Sequence, residues 1–409
     1  MIAASRIQEL ATQRFEQAVE NRRHLHQNPE LSFEEENTAR YIASALEARG
    51  IEKIDRGVGG NGVVATITGA EEGPAIALRA DIDALPIQEV PGRSYGSTNS
   101  GVMHACGHDG HTSSLLLCAS VLHAVQEELP GTVKLMFQPA EERIPGGAQA
   151  MIRDGVLESP LVHAVLGQHV NPDLEVGTVG FCPGLFMASA DDVYITIEGK
   201  GAHAAKPHLG IDPVAVASNI IVSLQQIVSR NANPIVPSVL TFGRFIADGA
   251  TNVIPNTVEI EGTFRTIDPA WRDAALERIE RAVKAQAEAL GARATVRIDR
   301  GYPPLVNDEP LTSASRRRAV EYLGKEHVVD LPPAMWAEDF SYFGLERPAC
   351  FYNLGVRNEN RGIIHQVHTP EFDLDEQALR VGGGLMAWLA IGALEELDSS
   401  GLRNRSASS

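Results

Sequence analysis

Cysteine is scarce in this chain. Its four cysteines among 409 residues, Cys106, Cys118, Cys182 and Cys350, show no paired spacing. A disulfide framework is therefore not expected, and a reducing, cytoplasmic setting is. Positive charge is also short, with 35 Lys and Arg against 53 Asp and Glu and a net charge of −18. That balance disfavours nucleic acid and anionic membrane as partners, since both would be repelled. No run approaches the ~18 apolar residues of a spanning helix. Met1 to Glu30 alternates charged with apolar residues and lacks the apolar core of a signal peptide. The tail from Asp398 to Ser409, rich in Ser and Arg, is expected to fray.

Apolar residues are plentiful at 44%, and a length of 409 exceeds what one hydrophobic core usually serves, so two domains are expected. Within this ordinary background one segment stands apart. Met103-His104-Ala105-Cys106-Gly107-His108-Asp109-Gly110-His111-Thr112 gathers a thiol, three imidazoles and a carboxylate beside two glycines. Cys106 and His108 flank a glycine, so a bent backbone can aim both at one centre, and thiolate with imidazole suits Zn²⁺ or another divalent transition ion. Taken alone, the segment also reads as a polar turn.

Later segments supply what a hydrolytic metal centre needs. An apolar stretch from Val133 runs into Phe137-Gln138-Pro139-Ala140-Glu141-Glu142, placing two adjacent acids at the end of an expected strand, where α/β sheets keep their ligands. Neighbours on an extended chain point opposite ways, so one acid can hold metal while the other handles protons. A second apolar run, from Leu161, ends in Gly167-Gln168-His169, and Ile363 to Pro370 carries His365 and His368.

The periodicity alternates strand with helix. Ser32-Phe33-Glu34-Glu35 has the pattern of a capping box opening a helix that closes at Gly50. Apolar runs at 63–67, 75–78, 133–137 and 162–166 read as strands, and 112–127 reads as a helix. This order predicts an α/β unit with a largely parallel sheet. From Ser189 the pattern changes to strand 193–197, a helix opened by Pro213, strands 238–245 and 257–265, and a helix ending at Gly291. That is the order of a small α+β, ferredoxin-like sandwich.

At this point the chain resembles the co-catalytic metallo-amidohydrolases that include aminoacylases, hippurate hydrolases and plant hydrolases of auxin conjugated to amino acids. The resemblance runs, in order, through Arg79 to Pro86, the Cys106 cluster, Gln138 to Glu142, Gly167 to His169, Gly199 to His203 with Pro207-His208, Asn252 to Thr266, Glu338-Asp339-Phe340 and His368-Thr369-Pro370. It implies an interrupted catalytic domain, 1–187 and 301–409, with an inserted lid and dimerisation domain over 188–300. It implies Cys106, His108, Glu142, His169 and His368 as metal ligands, with Glu141 as general base and His203 as the lid's oxyanion donor. Five ligands exceed what one open Zn²⁺ site takes, so two divalent ions sharing a ligand are expected, Zn²⁺ or Mn²⁺ with Co²⁺ or Ni²⁺ as alternatives. Relatives in the wider superfamily place a metal-binding histidine where this chain has Asp81, so Asp81 and Asp83 are expected to orient imidazole ligands instead.

The implied reaction is hydrolysis of the amide bond of an N-acyl amino acid to a carboxylate and a free amino acid. Asn252 or Arg265 would hold the substrate carboxylate. The alternative is a dipeptidase or carboxypeptidase using the same centre; a third reading is a metal-binding protein without catalysis, for which Glu141 and His203 would be superfluous. Trp336 stands where relatives usually carry a small residue, and reads either as an aromatic wall for the acyl group or as a packing residue. A homodimer or higher homo-oligomer is the family's expectation.

Overall fold

A strand covered on both faces must be apolar throughout. Ala75–Asp81 is such a strand, buried at all seven positions, and it lies inside an eight-stranded sheet. The sheet belongs to the computed structural model of the chain, which describes residues 2–399. Its order is Ile54–Val58, Gly62–Thr68, Thr132–Gln138, Ala75–Asp81, Val162–Glu175, Ala349–Arg357, Val179–Phe181, Val328–Asp330. The four strands from Thr132–Gln138 to Ala349–Arg357 run parallel. Antiparallel pairings flank them, at the first two junctions and between Ala349–Arg357 and Val179–Phe181. The sheet is thus mostly parallel where it is most buried.

The chain divides into two units. The first holds everything up to Gly184, Val306–Pro332 and the chain from Asp339 onward; the second holds Leu185–Leu305 and Pro333–Glu338. The short return segment belongs with the second unit because Ala334 N–H donates to the Phe186 carbonyl, and Ala188 N–H is shared by the carbonyls of Ala334 and Trp336. Expected boundaries at 188 and 300 did not anticipate this segment.

In the first unit, helix His108–Ala124 packs against helix Gln377–Ser399. Their close approach requires glycine: a Cβ at Gly383 would stand 2.6 Å from Leu117 Cδ2 and 2.7 Å from the Ser114 carbonyl oxygen. Helix Gln377–Ser399 is long and apolar enough to cross a membrane, but 83% of its apolar window is buried in the protein, as in a core helix. Asp398 and Ser399, expected to fray, are its last residues; the remainder of that tail lies outside the described residues. All four cysteines are buried, and no disulfide forms among the described residues.

Two expectations are corrected here. The helix read from Ser32 begins only at Glu36, with the Glu30 carboxylate accepting the N–H groups of Asn37 (3.2 Å) and Thr38 (2.8 Å). Ser32 does not cap it; its hydroxyl donates to Asp83 at 2.6 Å. The helix expected from Thr112 opens four residues earlier, at His108, and closes at Ala124.

The second unit is a four-stranded antiparallel sheet, in the order Ser238–Ile246, Thr257–Thr266, Asp191–Glu198, Arg293–Arg300. Helices Pro213–Gln226 and Pro269–Ala289 share its core. Burial alternates along Asp191–Glu198, as a half-buried strand requires. Each helix opens with Asp-Pro: Asp212 accepts from Val214 N (2.9 Å) and Asp268 from Trp271 N (2.9 Å), while proline takes a position needing no N–H partner.

Candidate metal centre

The polar segments of the first unit meet around Cys106. Gly107 precedes helix His108–Ala124 with φ +82°, and a Cβ there would lie 2.6 Å from Val170 Cγ2. Only glycine makes that bend, and the bend brings Cys106 and His108 to one centre. Strand Thr132–Gln138 stops short of the two acids, which follow left-handed Ala140 (φ 53°) in a loop. Glu141 and Glu142 therefore do not alternate on a strand as expected. His169 lies within strand Val162–Glu175, not at its end, and His368 has φ 62°. Left-handed non-glycine residues cost energy that the surroundings must hold in place.

All five expected ligands come together. The Cys106 thiol lies 3.4 Å from His169 Nε2 and 3.3 Å from His368 Nε2. Glu142 Oε1 lies 3.4 Å from His368 Nε2 and 3.8 Å from His108 Nε2. The donors form two triads, Cys106–His108–His169 and Cys106–Glu142–His368, each within 4.8 Å, with Cys106 common to both. Glu141 groups with His108 and Glu142 in the same way.

Hydrogen bonds on the far side of each ring decide which nitrogen faces the centre. His108 Nδ1 donates to the Asp83 carbonyl (2.9 Å) and carboxylate (3.2 Å), and His169 Nδ1 donates to the Val170 carbonyl (2.7 Å). Both rings thus turn Nε2 toward the centre, where a bound cation would take the place of a proton. His108 Nε2 and Glu142 Oε1 are buried with no hydrogen-bond partner. Buried polar atoms rarely go unpaired, so this pair fits an ion held between them.

Charge points the same way. Burial, then Glu142, Glu141 and Asp81, pushes the Cys106 thiol well above its usual range. Burial works against a charge on His108, but Asp81, Asp83 and Glu142 outweigh it and raise its pKa to about 10. Burial, then His111, drives His169 well below the usual value. A thiol and acids packed this tightly call for cations, which would let the thiol ionise.

The supporting residues divide differently from the expectation. Asp83 orients His108, accepts the Ser32 hydroxyl and takes Glu142 N–H at 2.9 Å. Asp81 instead accepts from His111 Nδ1 at 2.5 Å and lies 3.7 Å from His108 Nδ1. His111 Nε2 in turn accepts Val170 N–H at 2.8 Å, beside His169. With both nitrogens engaged, His111 positions a ligand strand and offers no ligand atom. Arg79, fully buried, donates to Asp81 (2.7 Å), Gln138 (2.9 Å) and Asp339 (2.8 Å). Glu35 accepts Ala140 N–H at 2.8 Å, just before Glu141. In the sequence Ser32 and Glu35 read only as part of a capping box, and Arg79 and His111 only as members of motifs; no sequence signal assigns them to this centre, because partners such as Ala140 for Glu35 and Asp339 for Arg79 lie far along the chain.

The pattern of peptidase family M20/M25/M40 matches residues 77–390. The chain belongs to that family. An N-acetyl-L-cysteine deacetylase of Bacillus subtilis is 46% identical over 358 residues, 88% of this chain and 83% of its own. An IAA-amino acid hydrolase of Arabidopsis thaliana is 40% identical over 395 residues, 96% of this chain and 89% of its own. The crystal structure of a dinuclear metal-binding M20 peptidase from Bacillus subtilis superposes with TM-score 0.78 at 38% identity, covering 93% of this chain and 98% of that one. The protein is thus an M20-family hydrolase with the family's mixed α/β fold.

The remaining expected residues of this M20 hydrolase lie in the second unit. His203 is exposed on the short strand Ala202–His203, which pairs with Val253–Ile254. Its Nδ1 accepts Ala205 N–H (3.1 Å), so the ring proton sits on Nε2. The Asn252 carbonyl accepts Ala204 N–H (3.0 Å), which brings Asn252 beside His203. Arg265 lies elsewhere, on strand Thr257–Thr266, with Nη1 3.4 Å from the Met335 carbonyl; burial lowers its pKa against the pull of Asp192. Among the described residues, no hydrogen bond or ion pair joins Arg265 to His203 or Asn252. Trp336 is 51% exposed, which weakens its reading as a packing residue.

Proposed function

We propose that the protein hydrolyses the amide bond of N-acyl amino acids, releasing a carboxylate and a free amino acid. The observation that carries this reading is the Cys106 thiol shared by two ligand triads, with Glu141 beside them and unpartnered His108 Nε2 and Glu142 Oε1 facing the gap. Cys106, His108, Glu142, His169 and His368 would hold two divalent ions, which supply an acidified water and a polarised carbonyl when bound. Zn²⁺ or Mn²⁺ suits this donor set, with Co²⁺ or Ni²⁺ as alternatives.

The protein's own residues do the rest. Glu141, placed after left-handed Ala140, takes the proton of the attacking water and passes it to the departing amine. His203 serves as donor to the oxyanion, because the Ala205 N–H on Nδ1 leaves Nε2–H free to donate. Asp83 holds the His108 ring, and Asp81 acts through His111 on the strand bearing His169. Asn252, beside His203, or Arg265 holds the substrate carboxylate. The second unit acts as lid and dimerisation domain, His203 serves the partner subunit of a homodimer, and the enzyme works in the cytoplasm, where Cys106 stays reduced.

The names of the two relatives support small N-acyl amino acids as substrates, with acetyl and indole-acyl groups as the first candidates. The dipeptidase or carboxypeptidase reading uses the same residues. A panel of hippurate, N-acetyl amino acids, indole-acyl amino acids and simple dipeptides, incubated with metal-loaded enzyme, separates the two. Cleavage of acylated amino acids in preference to dipeptides is expected. Preference for dipeptides would replace the reading with a peptidase, and cleavage of none would overturn it.

A further inference from the structure

Arginine is seldom buried without an acid beside it, because its charge cannot be shed. The first unit follows this rule almost everywhere. Among its described residues, the buried or half-buried Arg22, Arg79, Arg93, Arg316, Arg318, Arg347 and Arg357 each lie within 4 Å of a carboxylate. Two half-buried arginines do not, Arg14 and Arg49, and both line one cavity of about 650 Å³.

The cavity lies among helices Ala4–Gln13, Phe15–Gln27, Glu36–Glu47 and His108–Ala124 and the residues that follow the first and third of them. No carboxylate lines it. Arg14 Nη1 donates to the Leu10 carbonyl (3.2 Å), and Arg49 donates to Ser120 Oγ (2.7 Å) and the Ala45 carbonyl. These are neutral acceptors, so neither charge is balanced. Burial lowers both pKa values, opposed at Arg49 only by the Tyr41 phenol and at neither by a carboxylate. Glu20, whose charge reaches Tyr41, is exposed and held by Gln17 at 3.1 Å.

A second, independent feature lies in the same wall. Asn21 is 1% exposed, and its Oδ1 accepts the Tyr41 hydroxyl at 2.9 Å, yet its amide nitrogen is buried without a partner. That amide and two guanidinium groups are donors only. Ala18 and Leu117 give the cavity an apolar floor, and its volume is that of a small-molecule site.

We propose that this cavity binds a small organic anion, a carboxylate or phosphate ester carried on a compact apolar body, with Arg14, Arg49 and the Asn21 amide as its donors. Two charge-assisted bonds and an apolar floor give it both orientation and affinity. The site is separate from the metal centre and does not depend on the reaction proposed there.

The test footprints arginines on the intact protein with phenylglyoxal and peptide mapping, so anion binding at the metals does not enter the readout. Phenyl phosphate or benzoate is expected to slow modification of Arg14 and Arg49 severalfold and saturably, leaving exposed Arg153 and Arg281 unaffected. Protection by phenyl phosphate alone assigns a phosphate ester, and by benzoate alone a carboxylate. In Arg14→Gln, protection of Arg49 is expected to need about tenfold more anion, as loss of one charged hydrogen bond implies. No protection in the wild-type chain, equal protection by neutral benzamide, or equal slowing at all arginines would overturn the proposal.

Discussion

Glu141 and Glu142 are neighbours in sequence with separate duties, and replacing one atom of Glu141 distinguishes them. Glu141→Gln keeps the shape and removes the base. Turnover is expected to fall roughly 10²–10⁴-fold while bound metal stays unchanged by elemental analysis. Intact hydrolysis would remove Glu141 from the base role. Dense Cys, His and Glu segments marked the candidate donors in the sequence, while the choice of five among them came from the family resemblance. The residues that aim them were not. His111 sat in the same cluster as His108, yet only the fold shows its nitrogens spent on Asp81 and Val170. Ser32 matched a helix cap by pattern, and Asp83, distant in sequence, took its hydroxyl instead.

Elements are held to this centre by buried charge near the N-terminus. Arg22, fully buried, donates to Asp109 at 2.8 Å and to Asp373 at 2.6 Å, tying the helix that starts at His108 to the segment that follows His368. Burial opposes its charge, but Asp109 and Asp373 outweigh it and raise its pKa. Arg22→Met removes the guanidinium shared by the two carboxylates, leaving Asp109 with His26 and Asp373 with Arg93 and Tyr95, and is expected to cost about 3 kcal/mol in urea unfolding, with loss of retained metal. Stability and metal content equal to wild type would refute that linkage. In the same network, burial would raise Glu89, but bonds from His26, Ser97 N–H and Arg93 outweigh it and hold its pKa down at about 2. Its folded pKa lies below the ordinary 4.5, so its stabilisation is complete above 4.5 and is lost as pH falls toward 2. Glu89→Gln is therefore expected to flatten the acid limb of stability in that window; an unchanged limb would count against the network. At this scale the sequence announced strands by their apolar cores and missed their ends. Val162–Glu175 runs nine residues past its apolar run, because pairing with Ala349–Arg357 carries it through Gln168 and His169. Ala349–Arg357 itself was overlooked, although all but its last residue are buried and most of them are apolar.

For the molecule as a whole, the change of pattern near Ser189 was enough to reveal an inserted α+β unit, since its helices and strands complete a core of their own. The return of Pro333–Glu338 to that unit was not legible, because backbone hydrogen bonds to 186–188 leave no mark on composition. Exposed His203 gives the assembly its test: mixed dimers of His203→Ala and Glu141→Gln chains, each inactive alone, are expected to regain part of the activity if His203 serves the partner subunit. Absence of rescue in verified mixed dimers would place its action within one chain. The central claim, a two-ion centre shared through Cys106, is tested most directly by titrating chelated protein with Mn²⁺ or Zn²⁺ while following bound ion and hydrolysis of an N-acetyl amino acid together. Two ions per chain, with activity rising as the ions bind, is the predicted result; saturation at one ion, or full activity in the chelated protein, would contradict it.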